Sequence, residues 1–185
     1  VVMAYLAAYN ARAMGVEHYI AQYMFNSPPT TSGNMDLAKM LAKREMIESL
    51  HGDSFVSMRQ ARAGLLHFSP DLRVAKGQLA APTVLALGLR PHIIHVVGYC
   101  EGDHAATADD VIESCEIVRG VLRNCLFGMP EMTVDPAVEQ RKERLVAEAR
   151  VLIAALSALG EGEEDPLTSP RILAEAIKLG VLDAP

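Results

Sequence analysis

The stretch HIIHVVGY, residues 92–99, decides the fold, together with the polar run CEGDH, residues 100–104, that follows it at once. Ile93, Ile94, Val96 and Val97 are β-branched and Tyr99 is aromatic, a composition that favours a buried strand, and the polar run behind it requires a loop. Thr107-Ala108-Asp109-Asp110 then has the spacing of a capping box and predicts a helix to about Leu126.

The same cycle is read twice upstream. Phe55-Val56-Ser57-Met58 predicts a strand, an arginine-rich connection follows, and Ser69-Pro70 is a cap and first-turn pair for a helix from about Asp71 to Leu87, with Pro82 placed to kink it. His18 to Phe25 predicts another strand, broken by Asn26-Ser27-Pro28-Pro29. Asn34 is a cap for a helix to about Leu50, with Leu37, Met40, Leu41 and Ile47 on one side. A helix over Met3 to Met14, stopped by Gly15, precedes this unit.

The strand candidates begin near residues 18, 55 and 92, a repeat of about 37 residues that suits one β/α unit with a functional loop. Near-continuous apolar strands alternating with amphipathic helices imply parallel strands covered by helices. The expected fold is α/β, a partial (β/α)8 TIM-type barrel of about three units spanning residues 1–130, with a helical C-terminal tail over residues 131–185. A closed barrel needs about eight units, so the remaining strands are expected from a missing N-terminal part or another chain. In the tail, Asp135-Pro136 opens a helix carrying Val138, Leu145, Val146, Leu152, Ile153 and Leu156. Gly160 to Ser169 reads as an acidic linker, and Ser169-Pro170 opens a last helix to about Leu179. Both ends lack terminal signals and read as cut from a longer polypeptide.

The 185 residues are half hydrophobic, enough for a real core, and the net charge is −6 with scattered lysines and arginines. That argues against a nucleic-acid partner, which needs a basic stripe. Cys100, Cys115 and Cys125 are an odd set without CxxC spacing, as expected of reduced thiols in a reducing compartment. No apolar run approaches the ~18 residues of a membrane span and no basic-then-apolar leader opens the chain, so no membrane association and a cytoplasmic location are expected.

In a parallel β/α barrel the loops after the strands hold the site, which selects three clusters. The first is Gln22, Tyr23, Asn26 and Ser27 before the double proline, readable as pocket hydrogen-bonding groups or as an ordinary turn. The second is Arg59, Gln60 and Arg62, whose guanidinium forks suit a carboxylate or phosphate, or a structural ion pair. The third is Tyr99, Cys100, Glu101, Gly102, Asp103 and His104, where acid, base and substrate-binding groups converge, or a surface loop merely begins the next helix. Glu101 and His104 are two candidate metal ligands, and no metal site is assigned on two. His92 and His95 are read as core or barrel-wall histidines, with an inward-pointing His95 as the alternative. GxGxxG, Walker, GxSxG, HExxH and D-x-H-x-x-G patterns are all absent.

Gln22-Tyr23-Met24 with Pro28-Pro29-Thr30 and Gly33-Asn34, then His95-Val96-Val97-Gly98 and Glu101-Gly102-Asp103-His104, resembles the C-terminal part of the barrel (alpha) subunit of lysine 5,6-aminomutase and its ornithine 4,5-aminomutase relatives, over about residues 5–125. The resemblance implies a cobalamin-dependent isomerase of the radical mutase class. In that class the corrin lies over the C-terminal mouth of the barrel and homolysis of the cobalt–carbon bond starts the reaction, while the protein orients groups and excludes water. On this carry-over Tyr99, Glu101 and His104 are catalytic, and Glu101, Asp103 and His104 bind the cofactor. Tyr23, Asn26, Ser27, Arg59 and Arg62 face the substrate. The aminomutases also use pyridoxal phosphate, for which no phosphate cradle is read here. Adenosylcobalamin is expected on a separate corrinoid-binding module or subunit, in a homo- or hetero-oligomer acting on a small-molecule substrate, and the chain alone is expected to be inactive. The competing readings are a corrinoid-linked methyltransferase or lyase barrel, and a non-catalytic barrel subunit for assembly.

Overall fold

A computed structural model of the chain describes residues 1–26, 28, 31–66 and 68–183. In chain order its elements are α1 (Val2–Ala13), β1 (His18–Phe25), α2 (Gly33–Glu48), β2 (Val56–Ala63), α3 (Leu72–Leu87), β3 (Ile93–Ile94), α4 (Ala108–Cys125), α5 (Pro136–Leu159) and α6 (Pro170–Lys178), with short 3₁₀ turns at Tyr99–Gly102 and Met132–Val134. The chain is therefore α/β, with strands and helices alternating through its first two thirds. Among the described residues no helix is long and apolar enough to cross a membrane.

The strands form one sheet in the order β1-β2-β3. Val56 N–H donates to Glu17 O and Gly64 N–H to Phe25 O, a constant offset that makes β1 and β2 parallel. β2 and β3 are also parallel, with Gln60 opposite Ile93 and Ala61 opposite Ile94. Among the described residues the sheet is covered on one face only. Along β1 the residues Ala21, Tyr23 and Phe25 are buried while His18, Ile20 and Gln22 are exposed, and along β2 Ser57, Ala61 and Ala63 are buried while Val56 is 41% exposed. The expected cover by helices is therefore met on one face, and period-two alternation leaves the second face without a layer among the described residues.

Four boundaries differ from the sequence reading, the start of α3 among them. β2 runs on through Arg59, Gln60 and Arg62 to Ala63, instead of ending at Met58. It is the central strand, so its backbone groups are paired from both sides, and ladder bonding overrides the preference of long polar side chains for a loop. β3 is conversely short: only Ile93–Ile94 pair, His95 N–H still reaches Ala61 O, and the chain then leaves the ladder for the Tyr99–Gly102 turn. The apolarity of residues 96–100 serves packing, since Val97, Tyr99 and Cys100 are buried in a cluster with Ala63, Phe68, Ala75, Leu79 and Val118. The cap of α2 is Ser32, whose hydroxyl accepts from Met35 N–H, two residues ahead of the expected Asn34.

Other local readings hold. Thr107 and Asp110 form the capping box of α4, and Ser169 caps α6 with Pro170 in its first turn. The start of α3 departs from the expected Ser69-Pro70 pair: Asp71 is the cap, its carboxylate accepting from Arg73 N–H, and Pro82 lies inside the helix without ending it.

By internal contacts the chain falls into two units, one of Val1–Ala21, Ala42–Ser57 and Lys142–Pro185, the other of Gln22–Leu41 and Met58–Arg141. In the first, Leu6 of α1, Leu156 of α5, Leu167, Ala176 of α6 and Leu182 form one core cluster. Ala42 and Met46 of α2 with Val146 and Ala149 of α5 form another. The acidic stretch after α5 is tied down in this unit, because Asp165 accepts from Tyr9 Oη at 3.2 Å and Glu163 pairs with Arg171 at 2.5 Å. The second unit holds the candidate site.

Candidate functional site at the turn after the third strand

Two of the segments that follow strands meet at one glycine. A Cβ on Gly102 would overlap the carbonyl oxygen of Phe68 and lie 2.9 Å from its carbonyl carbon, so the turn after β3 and the segment after β2 approach backbone to backbone. Gly64 N–H, just past β2, is bonded in turn to Phe25 O at the end of β1.

On this platform the polar groups form a continuous network. Tyr99 opens the 3₁₀ turn with its ring buried, and its hydroxyl faces Glu113 Oε2 at 2.5 Å and Asp110 Oδ1 at 3.2 Å, both on α4. Lys76 of α3 pairs with Glu113 at 2.5 Å and stands 4.9 Å above the Tyr99 ring. His104 lies between two carboxylates, with Nδ1 2.8 Å from Asp103 Oδ2 and Nε2 3.2 Å from Asp110 Oδ2. Asp110 Oδ2 also accepts from the amide and hydroxyl of Thr107, at 2.9 and 2.6 Å. Tyr99 N–H donates to Ser114 Oγ, whose hydroxyl donates to Asp110 O.

The charges of this network support one another. The hydrogen bond to Glu113, then burial and Asp110, push the Tyr99 hydroxyl far above its ordinary range, so it remains a donor. Thr107 holds Asp110 well below the usual carboxylate range, and Lys76 and Tyr99 lower Glu113. The Asp103 and Asp110 hydrogen bonds raise His104 above its ordinary value and favour the imidazolium. Burial pushes the Cys100 thiol up, with Asp110 adding to it.

The expected site residues divide. Tyr99, Asp103 and His104 belong to this network. Glu101 lies in the same turn with an exposed side chain, and its Oε1 accepts from Gly98 N–H at 3.2 Å, which closes the turn. Tyr23 is fully buried in β1. Asn26 adopts φ +57° just past β1, and its N–H donates to the buried carboxylate of Asp36, which also pairs with Lys39 at 2.9 Å. Ser27 lies outside the described residues. Arg59 sits inside β2, and its Nε and Nη2 both donate to Arg90 O, at 3.1 and 3.0 Å, in the segment that leads into β3. Its guanidinium is thereby directed to the loop before a strand. Arg62 is also within β2, with Nε 3.3 Å from Ala63 O. His92 Nδ1 accepts from Arg59 N–H at 3.0 Å and His95 Nδ1 meets Gln60 Nε2 at 3.2 Å, so both histidines serve the β2–β3 edge.

Sequence reasoning missed Asp110 and Glu113 as site residues, and with them Lys76. The signal was present: three residues apart on a helix, Asp110 and Glu113 share a face. Asp110 is visible in sequence only as half of a capping box.

No protein-family model matches the chain, and no curated protein matches it.

Proposed function

We propose that the chain supplies mouth loops of a β/α barrel in an adenosylcobalamin-dependent isomerase of the aminomutase type, acting with a corrinoid-binding module and further barrel strands. The observation that carries the reading is the convergence of the segments after β2 and β3 at Phe68 and Gly102, with a charged turn built on that junction. A parallel sheet covered on one face supports it as well, because in a closed barrel the other face is interior.

The donor set suits the cofactor's periphery. A corrin carries amide side chains and adenosine carries ribose hydroxyls, and the exposed carboxylates of Glu101 and Asp103 accept from such donors. When bound, the cofactor supplies homolytic hydrogen abstraction from substrate. This chain's residues supply orientation. Glu101 and Asp103 fix the ligand at the turn, and the Tyr99 hydroxyl anchors the turn to α4 through Glu113 and Asp110. The platform around Phe68 and Val97 excludes water from beneath it. Pyridoxal phosphate has no part in this reading: of the two residues expected for an anionic group, Arg59 donates to the Arg90 carbonyl and Arg62 to that of Ala63.

The test uses the full-length protein with adenosylcobalamin and lysine or ornithine as candidate substrates. A substrate-dependent electron paramagnetic resonance signal is expected, and Glu101→Gln lowers turnover by about tenfold or more, the equivalent of one hydrogen bond in the transition state, without moving the thermal midpoint. Turnover unchanged in Glu101→Gln removes the site assignment. Methyl transfer without a radical signal replaces the isomerase with a corrinoid methyltransferase.

A further inference from the structure

One corner of the network contains a buried thiol, that of Cys100, that the isomerase reading does not use. Cys100 Sγ, a ring nitrogen of His104 and a carboxylate oxygen of Asp110 lie within 4.8 Å of one another. The backbone sets this up from three directions. Cys100 is the second residue of the 3₁₀ turn and fully buried, and its carbonyl accepts from the N–H of His104 at 2.9 Å, which folds the histidine back over the turn. Asp110 enters from the first turn of α4.

We infer that Cys100, His104 and Asp110 are the three protein ligands of a divalent transition-metal site of the zinc class. The first argument is spacing. Ligand bonds of about 2.0–2.1 Å in a tetrahedral site put neighbouring nitrogen and oxygen ligands about 3.3 Å apart, and His104 Nε2 stands 3.2 Å from Asp110 Oδ2. The second is the partner of the other ring nitrogen. A metal-ligating histidine donates its second N–H to a carboxylate, which fixes the tautomer and the ring plane, and His104 Nδ1 lies 2.8 Å from Asp103 Oδ2. Asp103 is thus a positioning residue for the ligand. The third is ligand chemistry. A thiolate with an imidazole disfavours calcium and magnesium, which take oxygen donors, and suits zinc or cobalt(II).

Coordination replaces the Cys100 thiol proton and the Nε2 proton of the imidazolium, both of which pass to solvent, and leaves Nδ1–H on Asp103. Three protein ligands leave a fourth position for water or a ligand on the exposed side of His104. The site goes beyond the isomerase reading and stands without it.

The experiment uses the full chain freed of metal with a chelator, with no cobalamin present, titrated with cobalt(II) and then zinc(II). One equivalent of cobalt is expected to give a thiolate-to-metal charge-transfer band that zinc abolishes. Cys100→Ser removes the band, Cys115→Ser keeps it, and Asp103→Asn weakens zinc binding about 10–100-fold. The zinc-edge absorption spectrum of the unmutated protein shows one sulfur neighbour at about 2.3 Å, which keeps the test decisive if Cys100→Ser fails to fold. A shell of nitrogen and oxygen alone, no band at one equivalent, or a band that survives Cys100→Ser overturns the site. Because cobalamin is absent throughout, these outcomes are distinct from failure of the isomerase assay.

Discussion

Arg59, Gln60 and Arg62 and the turn from Tyr99 to His104 look alike in sequence, since each is a short polar run behind a strand candidate. In the folded chain they part company. The arginines stay inside the central strand, where Arg59 ties the backbone before β3, whereas the second run leaves the ladder and gathers carboxylates, an imidazole and a phenol over the junction at Gly102. A polar cluster reaches a site of this architecture only if its strand ends in front of it, and strand length is set by the neighbouring strands.

The comparison is broken most severely at Gly102. A methyl group there must displace the Phe68 backbone, so Gly102→Ala is expected to destabilise the protein by about 1–3 kcal/mol, read as a lower denaturant midpoint with an unchanged slope. A neutral Gly102→Ala means that the two segments do not converge. Arg59→Ala sharpens the contrast from the other side. Loss of its bonds to the Arg90 carbonyl is expected to cost about 1 kcal/mol, with turnover in the proposed isomerase assay unaffected. A large effect on turnover with no effect on stability would return Arg59 to the site.

The smallest effect is in pH dependence, measured on chelator-treated protein. Pairing with Asp103 and Asp110 raises His104 above its ordinary 6.5, so the stability contributed by the imidazolium is complete below 6.5 and is lost as pH rises through the raised folded value. The thermal midpoint is therefore expected to decline from near neutrality into the weakly alkaline range, and His104→Gln to flatten that decline. A profile that rises with pH over this range contradicts the pairing.

Much of the fold was legible because it is local. The capping box at Thr107, the Ser169-Pro170 start and the first strand depend on residues within a few positions of one another. The turn at Tyr99–His104 was legible as a candidate for the same reason. Lys76 was not, because its relevance depends on α3 flanking Tyr99, a relation carried by contacts distant in the chain.

The residues alone determined that strands and helices alternate, where most helices begin, and that a charged turn follows the third apolar run, since propensity and capping act over a few neighbouring peptide units. Tertiary structure decided that β2 continues through its arginines, that β3 stops after two paired residues, and that one face of the sheet stays uncovered among the described residues. Those outcomes rest on which backbone groups find partners across the sheet and which side chains find a helix to pack against, and neither is encoded at the position where it takes effect.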